Sequence, residues 1–239
     1  MLAGEPLSAA TYQAWLEKTG LGLIDGIGST EMLHVFLSSK VDDMRPGSTG
    51  KPVPGYEVKL VDKQGNAVAQ GEFGLLAVRG PTGCRYLDDD RQGEYVRHGW
   101  NITGDVYTMD ADGYFWFQSR VDDMIVSSGY NIGGPEVETA LLAHAAVQEV
   151  AVVASPDEAR GAIVKAFIVL TAGTAGERPP TELKRLTREL QDHVKATIAP
   201  YKYPRAIEYV TALPKTAGGK IQRAKLRQME YGTPATQRA

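Results

Sequence analysis

The sequence has a single cysteine, Cys84, among 239 residues. An internal disulfide is therefore excluded, and a reducing compartment, the cytoplasm, is expected. Cys84 follows Gly83 in an expected loop, has no histidine near it in sequence, and is read as structural. No long apolar run occurs, so neither a transmembrane helix nor a membrane partner is expected. The opening MLAGEPLSAATYQAW lacks a basic stretch leading into an apolar one, which argues against a secretory signal. Charge of one sign does not dominate either. The net charge of −3 gives no general attraction to nucleic acid or anionic lipid. Internal repeats, low-complexity segments and a GxxxxGK[ST] phosphate loop are also missing. What remains is ordinary for a globular protein: 43% hydrophobic and 23% charged residues, enough for one or two domains with real cores.

The texture of the chain changes twice. SAATYQAWLEK (8–18) reads as a short helix, with Ala10, Trp15 and Leu16 on one face and Gly20 as its C-cap. LGLID (21–25) reads as a short buried strand feeding the glycine-rich GIGSTE (26–31). From about 53 to 118 the signals are β. YEVKLV alternates, GLLAVRG is apolar, and TMDADGYFWFQS reads as a hairpin turning at Asp112-Gly113. After about 120, helices and strands alternate. PEVETALLAHA starts a helix at Pro135. VQEVAVVA, IVKAFIVL and AIEYV are strands. TELKRLTRELQDHVKATI is an amphipathic helix with Leu183, Leu186, Leu190 and Val194 on one face, and QRAKLRQM is a last short helix. The expected fold class is α+β: a β-rich region over 1–118, a small α/β domain over 119–232, and a disordered tail over 233–239. A mobile joint is placed at SRVDDMIVSSG (119–129), where charged and small residues cluster.

Four stretches carry candidate chemistry. In GIGSTE the GxG lacks the third glycine of a dinucleotide fingerprint. It is either a polar turn, or a glycine-lined ligand loop in which Ser29 and Thr30 donate to phosphoryl or carboxyl oxygens and Glu31 holds Mg²⁺. In WNITGDV (100–106), Asp105 is either ordinary turn chemistry or an acceptor for a ribose diol. In SRVDDMIVSSGYNIGGPEVE (119–138), Glu136 and Glu138 fall in a helix's first turn, where the dipole alone favours them. Finally, Lys202, Arg205, Lys215, Lys220, Arg223, Lys225 and Arg227 face a single acid, Glu208, within 201–227. The acidic chain as a whole and the sparse aromatics argue against nucleic acid as the partner of this cluster. Within it, Lys220 follows two glycines, either as a solvated turn or as a cation to be delivered to an anion.

Taken in order, these stretches resemble the adenylate-forming superfamily of acyl-CoA synthetases, carrier-protein-loading adenylation domains and luciferases. GIGSTE resembles its Thr-Glu loop and TGD its ribose motif. SRVDDMIVSSGYNIGGPEVE resembles its hinge signature, with Ser119 where the family has Gly and Val126 where it has Lys. PKTAGGKIQR matches its closing PKTxxGKIxR motif. DGIGSTEMLHVFLSS and DDMIVSSGYNIGGPEVE most resemble benzoate-CoA ligase and other aryl-CoA ligases. The chain looks like the C-terminal part of such a protein, with a small barrel in its β-rich region.

The resemblance implies ATP, Mg²⁺ and CoA as cofactors and a small aromatic or related carboxylic acid as substrate. The acid would be activated to an acyl-adenylate and then transferred to the CoA thiol; loading of a carrier protein, or a non-catalytic fragment, is the alternative. By the same resemblance, Gly4, Glu5 and Pro6 line adenine, Thr30 bonds phosphoryl or carboxylate oxygens, and Glu31 ligates Mg²⁺. Asp105 takes the ribose hydroxyls with help from Arg120, Asp122 is the hinge, and Gly129 lets the pantetheine arm pass. Ile27, Gly28 and His34 line the acyl pocket, although His34 reads equally well as a packed core histidine. Lys220 bridges the carboxylate and the adenylate phosphate. A truncated large domain is expected to be inactive alone and to self-associate through exposed apolar surface.

Overall fold

The computed structural model describes residue 4, residues 7–171 and residues 178–232. Glu5, Pro6 and the tail over 233–239 lie outside the described residues. The chain divides into two compact units, Met1–Val121 and Asp122–Ala239. Helices and sheets occur together in both, as an α+β class requires.

The first unit opens with α1 (Ala9–Thr19). Ser8 caps it by accepting from the Thr11 amide, and Gly20 closes it at φ 69, donating to Leu16 O. Among its described side chains Tyr12 is buried, whereas Trp15 is exposed. LGLID is not a strand: only its last residue, Asp25, is bridged, its carbonyl accepting from Ser39 N, and the strand itself is β1 (Gly26–Ser29). Leu21 is exposed, and the run ends on a buried carboxylate. Burial pushes the Asp25 carboxyl up, and the amides of Gly26 and Leu7 offset part of that rise.

β1 pairs antiparallel with β2 (His34–Ser38), which pairs with the short β3 (Lys51–Pro52). The rest of the unit is an antiparallel sheet of β4 (Glu57–Val61), β5 (Gly74–Arg79), β7 (Trp100–Met109) and β6 (Val96–Arg97), with β8 (Phe115–Arg120) paired to β7. The expected barrel is thus an open five-stranded sheet beside a three-stranded one. The β7–β8 hairpin turns at Asp110–Gly113, as the Asp-Gly pair predicts. A short helix, α2 (Arg91–Tyr95), breaks the β-only expectation. One core cluster, including Met32, Phe36, Leu60, Leu76, Tyr107 and Phe115, joins residues of both sheets.

The second unit is built on one sheet. β11 (Val147–Asp157) and β12 (Gly161–Leu170) form a long hairpin, and β13 (Ala206–Tyr209) joins β12 in parallel. Strand alternation divides the residues between two cores. Val150, Val152, Val164, Ala166 and Ile168 pack with residues of α3 (Gly134–Leu142) and α4 (Pro180–Thr197). Ala151, Val153 and Phe167 pack with Leu213 and with Leu226 of α5 (Arg223–Tyr231). The α4 stripe falls as its spacing predicts, with Leu186, Leu190 and Val194 buried and Leu183 partly so. Before α3, β9 (Ile125–Ser127) and β10 (Tyr130–Ile132) form a small hairpin.

Candidate nucleotide and acyl-transfer site

In the first unit, Ser29, Thr30 and Glu31 sit where β1 turns into β2. The turn closes with Leu33 N donating to Thr30 O at 3.2 Å, and Leu33 adopts φ 59. The Thr30 side chain is exposed while Glu31 is half-buried. A strap from the β5–β6 connection holds the turn. Cys84 N donates to Glu31 O at 2.7 Å, and Thr82 Oγ1 donates to Met32 O at 2.5 Å. The Tyr86 hydroxyl donates to Glu31 Oε1, and the Tyr95 hydroxyl lies 3.2 Å from Ser29 Oγ. Tyr86 and Tyr95 meet edge-on at 6.3 Å, with the Arg91 guanidinium 4.7 Å over Tyr86. Burial works to raise the Glu31 carboxyl, but the Tyr86 hydroxyl, Ser29 and the charge of Arg120 together hold it below its ordinary value. Burial pushes the Tyr95 phenol up to about 12.

Sequence reasoning missed the two tyrosines. Their only signal is their place on either side of the acidic run LDDDRQGE.

The acyl-pocket candidates lie on the same ribbon. Ile27 packs against the core, and Gly28 sits in β1 where a Cβ would come 2.5 Å from His34 O. His34 is exposed, so the core-histidine alternative fails. Its Nδ1 is 2.8 Å from Val35 O, and its ring stacks on Tyr56 at 6.2 Å.

Thr103-Gly104-Asp105 is not a turn but part of β7, at an irregularity in its pairing. Gly104 has φ 76, and an added Cβ would come 3.2 Å from Arg120 Nη2. Asp105 is 6% exposed. Arg120 Nη1 donates to its Oδ1 at 2.9 Å, while the arginine side chain stays 53% exposed. Burial pushes the Asp105 carboxyl up, and Arg120 and Thr103 offset only part of this. Among the described residues no cluster of three or more His, Cys, Asp or Glu side chains could cage a metal. A lone carboxylate such as Glu31 suits Mg²⁺, which takes one or two carboxylates and completes its shell with phosphate and water oxygens.

In the second unit, Asp122 is exposed in the 3-10 turn Val121–Asp123. Gly129 is the second residue of the β9–β10 turn, with Ser128 at φ 49 and Gly129 at φ 83. Two positive φ angles in a two-residue loop make this the primed turn that matches strand twist. Nothing lies within 4 Å of a Cβ built on Gly129.

Lys220 ends a tight turn that is less pliable than its glycines suggest. Thr216 N donates to Lys220 O at 2.8 Å, Gly219 N to Thr216 O at 2.9 Å, and Lys220 N to Thr216 Oγ1 at 3.1 Å. Lys215 bridges to Ile221, whose side chain packs on the Phe167 core. The cationic cluster is largely spent on carboxylates of the same unit. Lys202 pairs with Glu136, Lys215 with Glu149, Arg223 with Glu138 and Arg227 with Asp123. Glu138 is therefore a buried ion-pair partner and not merely a residue suited to the helix dipole. Gly4 is exposed with φ 100.

Two stretches of the chain match known enzyme families. Residues 1–86 match the AMP-binding enzyme family, and residues 136–220 match the AMP-binding enzyme C-terminal domain. The chain belongs to the adenylate-forming superfamily. It is 45% identical over 238 residues to the human mitochondrial acyl-coenzyme A synthetase ACSM4, and 47% identical over 240 residues to human ACSM5. Each alignment takes in 97% of this chain, which spans about 40% of the length of these curated relatives. Among solved structures it is similar to the anthranilate CoA ligase AuaEII in complex with anthranoyl-AMP, at 47% identity and a TM-score of 0.86. That match covers 95% of this chain and 43% of the ligase. It is also similar to a benzoate CoA ligase from Burkholderia xenovorans LB400, at 41% identity and a TM-score of 0.82, covering 94% and 44%.

Proposed function

We propose that the protein carrying this chain is an ATP-dependent ligase that converts a small aryl carboxylate to its CoA thioester through an acyl-adenylate. The observation that carries this reading is the ordered set of loops just described, combined with likeness at 47% and 41% identity to ligases of anthranilate and benzoate. Asp105, held ionisable by Arg120, accepts from the ribose diol. Thr30 donates to the phosphoryl or carboxylate oxygens. Glu31 is the carboxylate for Mg²⁺, which supplies charge neutralisation on the phosphates when bound.

Lys220 brings a cation to the carboxylate and α-phosphate oxygens, where negative charge concentrates in the first transition state. Gly129 keeps a tip free of side chain for the pantetheine arm, and Asp122 absorbs backbone rotation between the two half-reactions. Ile27, Gly28 and the exposed His34 border the acyl group. Gly4 contributes to the adenine contact.

A second reading, an aliphatic acid as substrate, is favoured by the similarity to acyl-coenzyme A synthetases. Pyrophosphate exchange with benzoate, anthranilate, hexanoate and octanoate separates the two. The aryl reading expects the two aromatic acids to lead by at least about tenfold in kcat/KM, a difference of about 1.4 kcal/mol. A preference for octanoate overturns it. The 239-residue chain alone is expected to give no turnover; robust ligation by it would refute that part.

A further inference from the structure

α5 begins three residues after Lys220, and two of its arginines reach away from the helix to fixed partners. Arg223 forks onto Glu138 of α3, with Nε 3.1 Å from Oε1 and Nη2 2.7 Å from Oε2. Glu138 is itself anchored: it is 7% exposed, and its Oε1 also accepts from Val152 N of β11 at 2.8 Å. One turn further along α5, Arg227 pairs with Asp123 in the 3-10 turn that opens the unit. Between them Leu226 is buried in the cluster that holds Phe167, and on the other side of Arg223 Ile221 packs on the same cluster. Gln222 N donates to Pro214 O at 2.8 Å and Gln222 Nε2 to Lys215 O at 3.0 Å, so the Lys220 turn is stitched to the start of α5. A forked, mostly desolvated guanidinium–carboxylate pair fixes orientation as well as distance, which an exposed ion pair does not.

We infer that α5 is a rigid strut joining the Lys220 turn to the Asp123 turn, and that Glu138 and Arg223 are positioning residues for Lys220. The inference rests on the reading of Lys220 as the cation that meets the reacting oxygens. Motion of the chain at Asp122 and Asp123 is then transmitted through α5 and carries Lys220 with it as one body, with little slack in the glycine turn. The competing account is that the ion pair only adds stability to the unit as a whole.

Amide hydrogen exchange on the 239-residue chain distinguishes the two. Glu138→Gln keeps an acceptor for Val152 N but removes the charge that Arg223 grips. It should speed exchange at Thr216, Gly219 and Gln222 by about tenfold to a hundredfold. Amides in β11, β12 and α4 should stay within about twofold of the parent. Arg223→Lys, which keeps the charge and loses the fork, should fall between the two. Arg227→Gln should loosen the 121–123 turn while the Thr216 and Gly219 amides remain protected by Arg223. Equal acceleration throughout the unit, or none at 216–222, overturns the strut.

A functional arm uses the longest natural protein that contains the chain. Glu138→Gln should slow pyrophosphate exchange at least about tenfold more than it slows thioester formation from supplied acyl-adenylate. Equal slowing of both refutes the positioning role. If Lys220→Ala leaves pyrophosphate exchange intact, it is the reading of Lys220 that fails, and the exchange pattern still decides the strut.

Discussion

Asp105→Asn should separate stability from ligand recognition. The carboxylate is 6% exposed, whereas its partner Arg120 keeps 53% of its side chain in solvent. The cost of desolvation therefore falls on the acid. Arg120 loses little when the charge opposite it disappears, because water remains available to it. Asparagine keeps the shape and an acceptor for Arg120, so stability at pH 7 should be unchanged or higher, by up to about 2 kcal/mol.

The sign follows from the direction of the shift. The folded carboxyl titrates above its ordinary value, chiefly because of burial. Its contribution is therefore fully present below the unfolded value near 3.9 and is lost as pH rises through the folded value. The difference between Asp105→Asn and the parent should open across that window and stay constant above it. Urea melts from pH 3 to 8 read this directly.

Binding should move the other way. A diol donating to a carboxylate makes charge-assisted bonds worth about 1.5–3 kcal/mol each against water, so AMP affinity should fall about tenfold to a hundredfold. The 2′,3′-dideoxy nucleotide, which has no diol, should bind parent and variant alike. A variant that loses more than about 2 kcal/mol of stability at pH 7, or one that weakens both nucleotides equally, refutes the reasoning.

Other outcomes follow from the same geometry. Lys220→Ala should leave thermal stability within about 0.5 kcal/mol, since the side chain is exposed on a turn, and, in the longest natural protein that contains the chain, should slow the proposed adenylation by about a hundredfold or more. Tyr86→Phe removes a donor that holds the Glu31 carboxyl low. The stability lost should appear above the unfolded value near 4.3 and vanish as pH falls through the folded one. Solvent screening limits it to about 1 kcal/mol, measurable as a smaller acid-to-neutral difference in Tm. Gly50→Ala and Gly129→Ala both place a side chain at positive φ, but only the first meets backbone, with Ser38 O 2.2 Å from the new Cβ. Denaturant melts should show about 1 kcal/mol lost at Gly129 and several times that at Gly50.

Much of the second unit was legible because its signals are periodic. The α4 stripe, the paired apolar strands and Pro135 at the start of α3 all name their own structure. The first unit was less so. LGLID has the composition of a strand, but its edge belongs to Asp25, whose burial no local pattern announces. TGD has turn composition, yet β7 runs through it because pairing with β5 and β8 overrides the local preference of one glycine. The site followed the same division. The candidates Thr30, Glu31, Asp105, Gly129 and Lys220 stand in recognisable strings, as does Arg120 beside Asp105, whereas other partners come from far away in sequence. Tyr86 lies 55 residues from Glu31, and Arg223 lies 85 from Glu138. Long-range partners of this kind leave no trace in spacing.

The parallel pairing of β12 with β13 has a consequence for how the second unit is made. The β11–β12 hairpin can form as soon as it is synthesised, since its contacts are local. β13 cannot join until α4 has crossed over, and the Phe167 face stays open until Leu213 and Leu226 arrive last of all. A nascent or prematurely terminated chain ending after α4 would therefore present one unpaired strand edge and one bare apolar face, the combination that recruits chaperones or aggregates. The segment that carries Lys220 is also the segment that completes the fold, so a chain too short to finish folding is also one that lacks its lysine.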